Sequence, residues 1–318
     1  MASLWLAVHL PTTPPPSAPE LAGLACWAGN FSPRVSLAPP RGLLLEVGGC
    51  LRLFGGAEAL KDRAAAGLAA QGVSARLALA ATPQAALWLA EAAGEALDSL
   101  APAAISLPPG TAERLARFGL FSLGALRRLP PAALGRRLGK EAIRLLARAY
   151  GDLPDPRPDF VFPARFHQTI ELPAPVSHAP ALLFAARRLT AALAGWLAAR
   201  QAGLRQWRLE LGHRQERSEL LLSFAELTRE AERFDRVLQQ RLERLTLAAP
   251  VTTLGLTAVE PEDLPGISGG LFEASVGRES LGALLDRLRA RLGEEQVGAV
   301  APVAEHRPEC ASRLAQPG

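Results

Sequence analysis

Ser36-Leu37-Ala38-Pro39-Pro40-Arg41-Gly42-Leu43-Leu44-Leu45-Glu46-Val47-Gly48-Gly49 reads as two strands around a proline turn. Leu43 to Val47 is a short apolar run between turn signals, the pattern of a strand buried on both faces of a sheet. Gly48 to Gly56 then steps into a helix at Ala57. A tight strand pair in the middle of a sheet is a natural place to hold carboxylates side by side on Mg²⁺. Here the turn offers Ala38, Pro39, Pro40, Arg41 and Gly42, and the strand carries Glu46 alone.

Working outward, Leu4 to Leu10 reads as a strand ended by Pro11, and Thr12 to Pro19 as a proline-rich surface linker. Glu20 to Gly29 is a short helix with Leu21, Leu24 and Trp27 on one face. Val35 to Leu37 and Leu43 to Val47 follow as strands, then a helix from Ala57 to Gln71, a strand from Ala75 to Ala80 and a helix from Pro83 to Ala93. This order is the split βαβ arrangement, predicting an α+β, ferredoxin-like sheet with helices on one face.

Residues 111 to 152 change character. Thr111 can cap a helix running through Phe118, Gly119 to Ser122 turn, and Leu123 to Arg128 form a second helix stopped by Pro130-Pro131. Third and fourth helices are expected around Gly135 to Gly139, ending near Tyr150. A proline-laden linker spans 153–164. Past it the βαββαβ order returns: a strand Phe166 to Leu172, a long helix Pro180 to Gln201, a hairpin from Leu204 to Leu211 and Glu219 to Phe224, a helix Thr228 to Leu245 and a strand Thr253 to Val259. The second sheet is expected to share the topology of the first, without sequence repetition. Residues 260–318 form a tail with an amphipathic helix over Glu279 to Leu292, partly disordered by expectation.

The chain of 318 residues, 49% of them apolar, can build two or three cores. Leu77 to Ala93 is the best candidate for a membrane span, and Pro83 breaks it. Met1 to Leu10 lacks the basic start of a secretory signal. These readings place the chain in the cytoplasm. Cys26, Cys50 and Cys310 are odd in number and widely spaced, which supports neither a disulfide framework nor a zinc site.

Of 35 basic residues only Lys61 and Lys140 are lysine, a bias that a GC-rich genome explains without function. The net charge of +4 conceals a division. Residues 1–110 carry 6 basic and 7 acidic residues, 111–157 carry 10 and 4, 165–259 carry 13 and 9, and 260–318 carry 6 and 10. A polyanion would dock on the basic middle.

This order of parts resembles that of the Y-family translesion DNA polymerases, with palm (1–110), helix-hairpin-helix thumb (111–152), linker and little finger (165–259). In its residues the chain is similar to the ImuB group, polymerase-like proteins of bacterial mutagenesis cassettes. The likeness is carried by Leu4 to Pro11, Phe31 to Leu37, Gly42 to Gly56, Gly119-Leu120-Phe121-Ser122-Leu123-Gly124 and His306-Arg307-Pro308-Glu309. Active members of the Y family hold two Mg²⁺ with an Asp on the first strand and an Asp-Glu pair at the turn into the central strand. Aligning this chain puts Ala7 at the first position and His9 at a neighbouring acid. The pair falls on Arg41 and Gly42, or, anchored on Ser36, on Ala38 and Pro39. The resemblance therefore implies a polymerase fold without its metals, with no cofactor. It also implies a missing fingers subdomain, since only residues 11–30 stand where the family inserts it.

The same resemblance implies DNA as a partner, held without regard to sequence. At the hairpin, backbone N–H groups of Gly119, Leu120 and Ser122 would meet a phosphate, with Arg114, Arg117, Arg127, Arg128, Arg136, Arg137 and Lys140 nearby. An ordinary helical connector with solvated arginines is the plain alternative. In the second sheet Arg205, Arg208, Arg214 and Arg217 would lie along the backbone, or else decorate a solvated face. Protein partners implied by resemblance are an error-prone C-family polymerase, a RecA-like ImuA-type protein and the sliding clamp. Leu271-Phe272 resembles the end of a clamp-binding peptide but lacks its leading glutamine. The expected function is a non-catalytic adaptor in translesion synthesis. Two others stay open: a minimal polymerase using Glu46, and a stand-alone DNA-binding module. His9, His167, His178, His213 and His306 share no metal or triad spacing, and no base stands near Ser36 or Ser122.

Overall fold

The computed structural model describes residues 3–130, 139–214, 216–264, 297, 299–302 and 312–315. The chain divides into two units, Met1–Phe162 and Pro163–Gly318.

The first unit is built on β1 (Trp5–His9), β2 (Val35–Ala38), β3 (Gly42–Glu46) and β4 (Arg76–Ala80) in the order β2-β3-β1-β4. β3 pairs antiparallel with β2 and with β1, so the parallel strands β1 and β2 flank it. This is the expected split βαβ sheet. Helix α1 (Ala18–Ala28) starts in a capping box: Ser17 Oγ accepts from the Glu20 amide at 3.4 Å while the Ser17 amide donates to Glu20 at 2.8 Å. Ala18 and Pro19, expected in the linker, are therefore its first turn, where proline fits because the first amides of a helix have no partner to lose. A short helix α2 (Leu51–Phe54), which the glycine-bounded step did not suggest, precedes α3 (Ala57–Ala70).

Helices were expected on one face of this sheet, and the structure corrects that. Registers Trp5↔Glu46, Ala7↔Leu44 and Ala7↔Ala78 put Trp5, Ala7, Leu44 and Ala78 on one face. That face shares a core with Ala86, Trp88, Leu89 and Ala90 of α4 (Pro83–Ala92). Leu6, Val8, Leu43 and Leu45, fully buried, alternate to the other face. On that side α1 lies against β2 and β3, and α3 against β4. The apolar positions of α4 leave open which side of the sheet it covers, so element order alone does not place it.

The α4 core continues through Leu100 and Ile105 into α5 (Thr111–Arg117), α6 (Leu123–Arg127) and α7 (Lys140–Ala149), via Leu115, Leu123, Leu126, Ala142 and Ala149. Gly110, not Thr111, caps α5; Thr111 is its first residue and its hydroxyl accepts from Arg114 at 3.2 Å. Thr82 caps α4 and also donates to the Ala149 carbonyl at 2.9 Å, tying α4 to the end of α7. The helices expected around Gly135 to Gly139 lie outside the described residues, apart from the start of α7.

The second unit holds β5 (His167–Val176), α8 (Leu182–Ala199), β6 (Ala202–Gly212), β7 (Arg217–Thr228), α9 (Ala231–Leu242) and β8 (Val251–Val259). Its element order is the expected βαββαβ, but its sheet order is β5-β8-β6-β7. The expectation of one topology for both sheets is thus corrected. In the first sheet the third strand separates the parallel pair, and in the second the last strand does. Element order alone does not decide where a final strand inserts. Pro173 and Pro175 sit in β5, an edge strand, where a missing amide costs no ladder bond. Thr228, expected to start a helix, ends β7 instead. Short strands β9 (Glu262–Asp263), β10 (Ala299–Pro302) and β11 (Ser312–Ala315) follow; β9 pairs with β6, and β10 with β11.

Residues 179–199, rather than Leu77 to Ala93, have the length and apolar composition of a membrane span. The helical part, α8, buries Leu182, Leu189, Leu193, Trp196 and Leu197 against β5, β6 and β8, which accounts for that composition as a core helix.

Candidate functional site

Two regions of the first unit and one of the second carry the residues that sequence reading singled out. The first is the end of the sheet at the β2–β3 turn. Ala7 pairs with Leu44, and His9 with Gly42, which itself faces Ala38. Positions 7, 38 and 42 therefore share one face, whichever alignment is chosen for the acidic pair. Ala7 has no exposed surface and belongs to the apolar core with Trp5, Leu44, Ala78 and Trp88. A Cβ on Gly42 would stand 3.2 Å from the Val8 carbonyl oxygen and 3.3 Å from that of Ala38. Such spacing admits a side chain only if the backbone gives way.

Arg41 donates from its guanidinium to the Thr12 carbonyl, and its own carbonyl accepts from the Leu10 amide at 2.7 Å. The arginine thus fastens the segment after β1 over the turn. Beside it, burial lowers the pKa of His9, with Arg76 and Arg41 adding to that and Glu91 opposing. Glu91 itself accepts from the Ser106 amide at 2.7 Å and from the Ser106 hydroxyl.

Glu46 lies at the other end of β3, four residues from Gly42, or about 13 Å along the strand. It accepts from the Gly48 amide at 3.2 Å and faces Arg34 at 4.0 Å. Mg²⁺ needs several oxygen ligands converging on one point. The residues present, Ala7, Ala38, Pro39, Arg41 and Gly42, do not fit a two-metal centre. Among the described residues no group of three or more His, Cys, Asp or Glu side chains could hold a metal ion.

The second region is the α5–α6 hairpin. Gly119 has φ +71°, the Gly119 amide donates to Ala116 and the Leu120 amide to Leu115, each at 3.0 Å. This is a Schellman closure, and it commits two of the backbone donors expected to meet phosphate. Ser122 caps α6 through the Ala125 amide at 3.2 Å. Arg114, Arg117, Arg127, Arg128 and Lys140 are exposed on this segment. Arg127 stacks over the Tyr150 ring at 4.1 Å, and the Tyr150 hydroxyl donates to Asp98 at 2.6 Å. Burial, reinforced by Asp98, raises the Tyr150 pKa. Arg136 and Arg137 lie outside the described residues, as do Leu271, Phe272 and the His306 stretch.

Sequence reading passed over two features here. One is the Arg127–Tyr150–Asp98 chain, whose members stand too far apart in sequence to suggest it. The other is a pair of aromatic side chains in the turn, Phe118 at 50% and Phe121 at 67% exposure. Apolar residues in a polar turn were visible in the sequence.

The third region is the face of the second sheet turned away from α8 and α9. Trp207, Leu209 and Leu211 are buried, so Arg208 and Glu210 alternate outward. Arg208 pairs with Glu219 at 3.3 Å. Thr257 donates to Glu210 at 2.8 Å, and its hydroxyl meets His167 Nδ1 at 2.9 Å. Arg205 shares the parity of Trp207, falls where the β6–β7 register shifts, donates to the Ala225 carbonyl at 2.7 Å and faces Glu262 at 3.9 Å. The two arginines, expected to act together along one strand, are thus separated and each has an acidic neighbour. Arg214 and Arg217 are exposed at the hairpin end.

No family model matches the chain. It is 30% identical over 304 residues to Protein ImuB of Caulobacter vibrioides, in sequences from two strains, the match covering 91% of this chain and 66% of the relative. The chain thus spans about two thirds of the length of these relatives. Similar solved structures include DinB from Sulfolobus solfataricus, 14% identical over 77% of either chain with a TM-score of 0.36. Another is a DinB family error-prone DNA polymerase from the same organism, 12% identical, covering 82% of this chain and 99% of that one with a TM-score of 0.37.

Proposed function

Because the chain belongs to the ImuB family, we propose that it is a polymerase-like protein of DNA damage tolerance that holds primer-template DNA without extending it. The observation that carries the non-catalytic part is the environment of Ala7, buried without exposed surface among Trp5, Leu44 and Trp88 where an active polymerase needs a metal-bound carboxylate. Phosphoryl transfer without such ligands lacks the charge that gathers and orients the metal ions. The DNA-holding part is supported by the exposed arginines of α5 and α6 and by the excess of basic residues over 111–157.

The binding contacts are electrostatic and independent of base sequence. Arg114, Arg117, Arg128 and Lys140 lead, because Arg205 and Arg208 already have acidic neighbours that a phosphate would have to displace. The adaptor role, joining a sliding clamp, a C-family polymerase and a RecA-like protein, is proposed on family membership.

A primer-extension assay with Mg²⁺ or Mn²⁺ tests the first part: no nucleotide addition is expected, and addition abolished by Glu46→Ala would make the protein a minimal polymerase instead. Fluorescence anisotropy with labelled primer-template tests the second. Affinity is expected to fall steeply as salt rises, and Arg127→Glu with Arg128→Glu to weaken binding alike on all sequences. Salt-insensitive binding would remove phosphate contact as its basis. Capture of the clamp, polymerase or RecA-like partner from the same bacterium, with and without primed DNA, tests the adaptor role; capture of none would leave a stand-alone DNA-binding module.

A further inference from the structure

The face of the second sheet turned away from α8 and α9 is built in rows across its strands. His167, Thr257, Arg208 and Leu221 form one row; Thr169, Gly255, Glu210 and Glu219 the next; Glu171, Thr253, Gly212 and Arg217 the third. These rows carry three carboxylates and two guanidinium groups, with the His167 ring 3.8 Å from Glu210. Arg165 ahead of β5, and Arg214 and Glu216 in the β6–β7 hairpin, are exposed at the ends of the strands. A phosphate backbone needs an excess of cations, and the rows hold an excess of acids.

Glu210 and Glu219 stand directly opposite each other, an arrangement that costs stability between like charges. Each is held by a different group. Glu219 meets Arg208 Nε at 3.3 Å, with about half of either side chain exposed. Glu210, 20% exposed, lies over Gly255, where an added Cβ would stand 3.2 Å from Glu210 Oε2, and accepts from the Thr257 hydroxyl at 2.8 Å. Glu210 is thus seated in the sheet, and the Arg208 guanidinium offsets the charge of Glu219 beside it. A phosphate taking Arg208 would have to displace one carboxylate and would leave Glu219 facing both Glu210 and the phosphate. An exposed ion pair alone is worth little. The uncompensated glutamates left behind are the larger obstacle.

Resting on the DNA-binding reading above, we infer that Arg208, Glu219 and Glu210 form a latch that closes this sheet face to DNA, Glu219 standing where a phosphate would meet Arg208 and Glu210 opposing its release. Arg208 is a latent phosphate contact. The two glutamates determine that the face adds nothing to DNA affinity.

Removing the charge of the latch opens the face. In fluorescence anisotropy with labelled primer-template, Glu219→Gln is expected to tighten binding about threefold or more and to steepen its fall with salt by the share of about one phosphate contact. Arg208→Ala is expected to leave the affinity of the unaltered protein within about twofold and to abolish the gain when combined with Glu219→Gln. Glu243→Gln, the same change of charge at the end of α9, controls for net charge and is expected to give no such gain. Circular dichroism verifies that the variants fold. A gain that survives Arg208→Ala, or that Glu243→Gln equals, comes from net charge and overturns the latch. So does a large loss from Arg208→Ala alone, which would show the face already in use. DNA binding by the unaltered protein with no gain in Glu219→Gln also overturns the latch and leaves the DNA-binding reading intact. If neither the unaltered protein nor Glu219→Gln binds any DNA, that reading falls and the latch with it.

Discussion

At the scale of single residues, replacing one side chain tests whether position 7 can take a carboxylate. Ala7→Asp would put a carboxylate into a position without solvent, beside Leu44, Ala78 and Trp88. The expected outcome is a loss of about 3 kcal/mol or more in urea unfolding, with no nucleotidyl transfer gained. A variant that keeps wild-type stability and extends a primer would show that the site is latent, not filled. Asp235 offers a titration test. Burial raises its carboxyl above the ordinary 3.8, against the Thr190 hydroxyl at 2.6 Å and Arg187 at 3.6 Å, both of which favour the charge. The folded state then holds the proton more tightly than the unfolded chain. Stability from this group is complete below 3.8 and is lost as pH rises through the raised value. Asp235→Asn is expected to flatten that part of the pH profile, measured as urea midpoints. A variant whose profile retains the wild-type fall would assign it to another group.

At the scale of elements, the α5–α6 hairpin contains two glycines whose roles differ. Gly119 has φ +71° with nothing within 4 Å of an added Cβ, so Gly119→Ala is expected to cost about 1 kcal/mol through conformation alone. At Gly124 an added Cβ would stand 2.9 Å from Asp98 Cβ and 3.1 Å from its carbonyl oxygen. Gly124→Ala therefore pushes α6 off the 97–100 turn, where Leu123 donates to Leu100 at 3.0 Å, and is expected to cost about 1–3 kcal/mol. Equal losses in denaturant titrations of the two variants would contradict this assignment. The hairpin itself was legible in sequence, because Gly119 and Ser122 are local signals for ending one helix and starting the next. The first sheet was legible for the same reason, its strands and helices being punctuated by proline and glycine. What escaped reading is long-range. The side of the sheet taken by α4, the insertion of β8 between β5 and β6, and the Glu219 partner of Arg208 depend on contacts between distant segments. The lack of acids at Ala7, Ala38, Pro39, Arg41 and Gly42 is visible in the sequence, but the packing of Ala7 in one core with Trp88 is not. The solvent exposure of Phe121 was likewise hidden, since an apolar residue in a turn reads as well for a small satellite core.

At the scale of the whole chain, the boundary between the units lies at 162/163, which places residues 153–162 with the first unit. The proline-rich segment is held there by named contacts. The Asp155 side chain, 3% exposed, meets Arg157 at 2.8 Å and Arg148 at 3.8 Å; Arg157 donates to Gln84 at 2.9 Å, at the start of α4. The Phe160 amide donates to the Val35 carbonyl at 2.6 Å, on the open edge of β2. Arg34 and Asp159, both more than half exposed at 4.0 Å, add little. A linker that covers a sheet edge and buries a carboxylate between two arginines belongs to the core it covers. A fragment ending at residue 162 is therefore expected to be more stable than one ending at 152 by about 2 kcal/mol, since the shorter one leaves Gln84, Arg148 and the Val35 carbonyl without these partners. Urea unfolding of the two fragments measures the difference, and equal midpoints with equal slopes would return residues 153–162 to the role of a free tether.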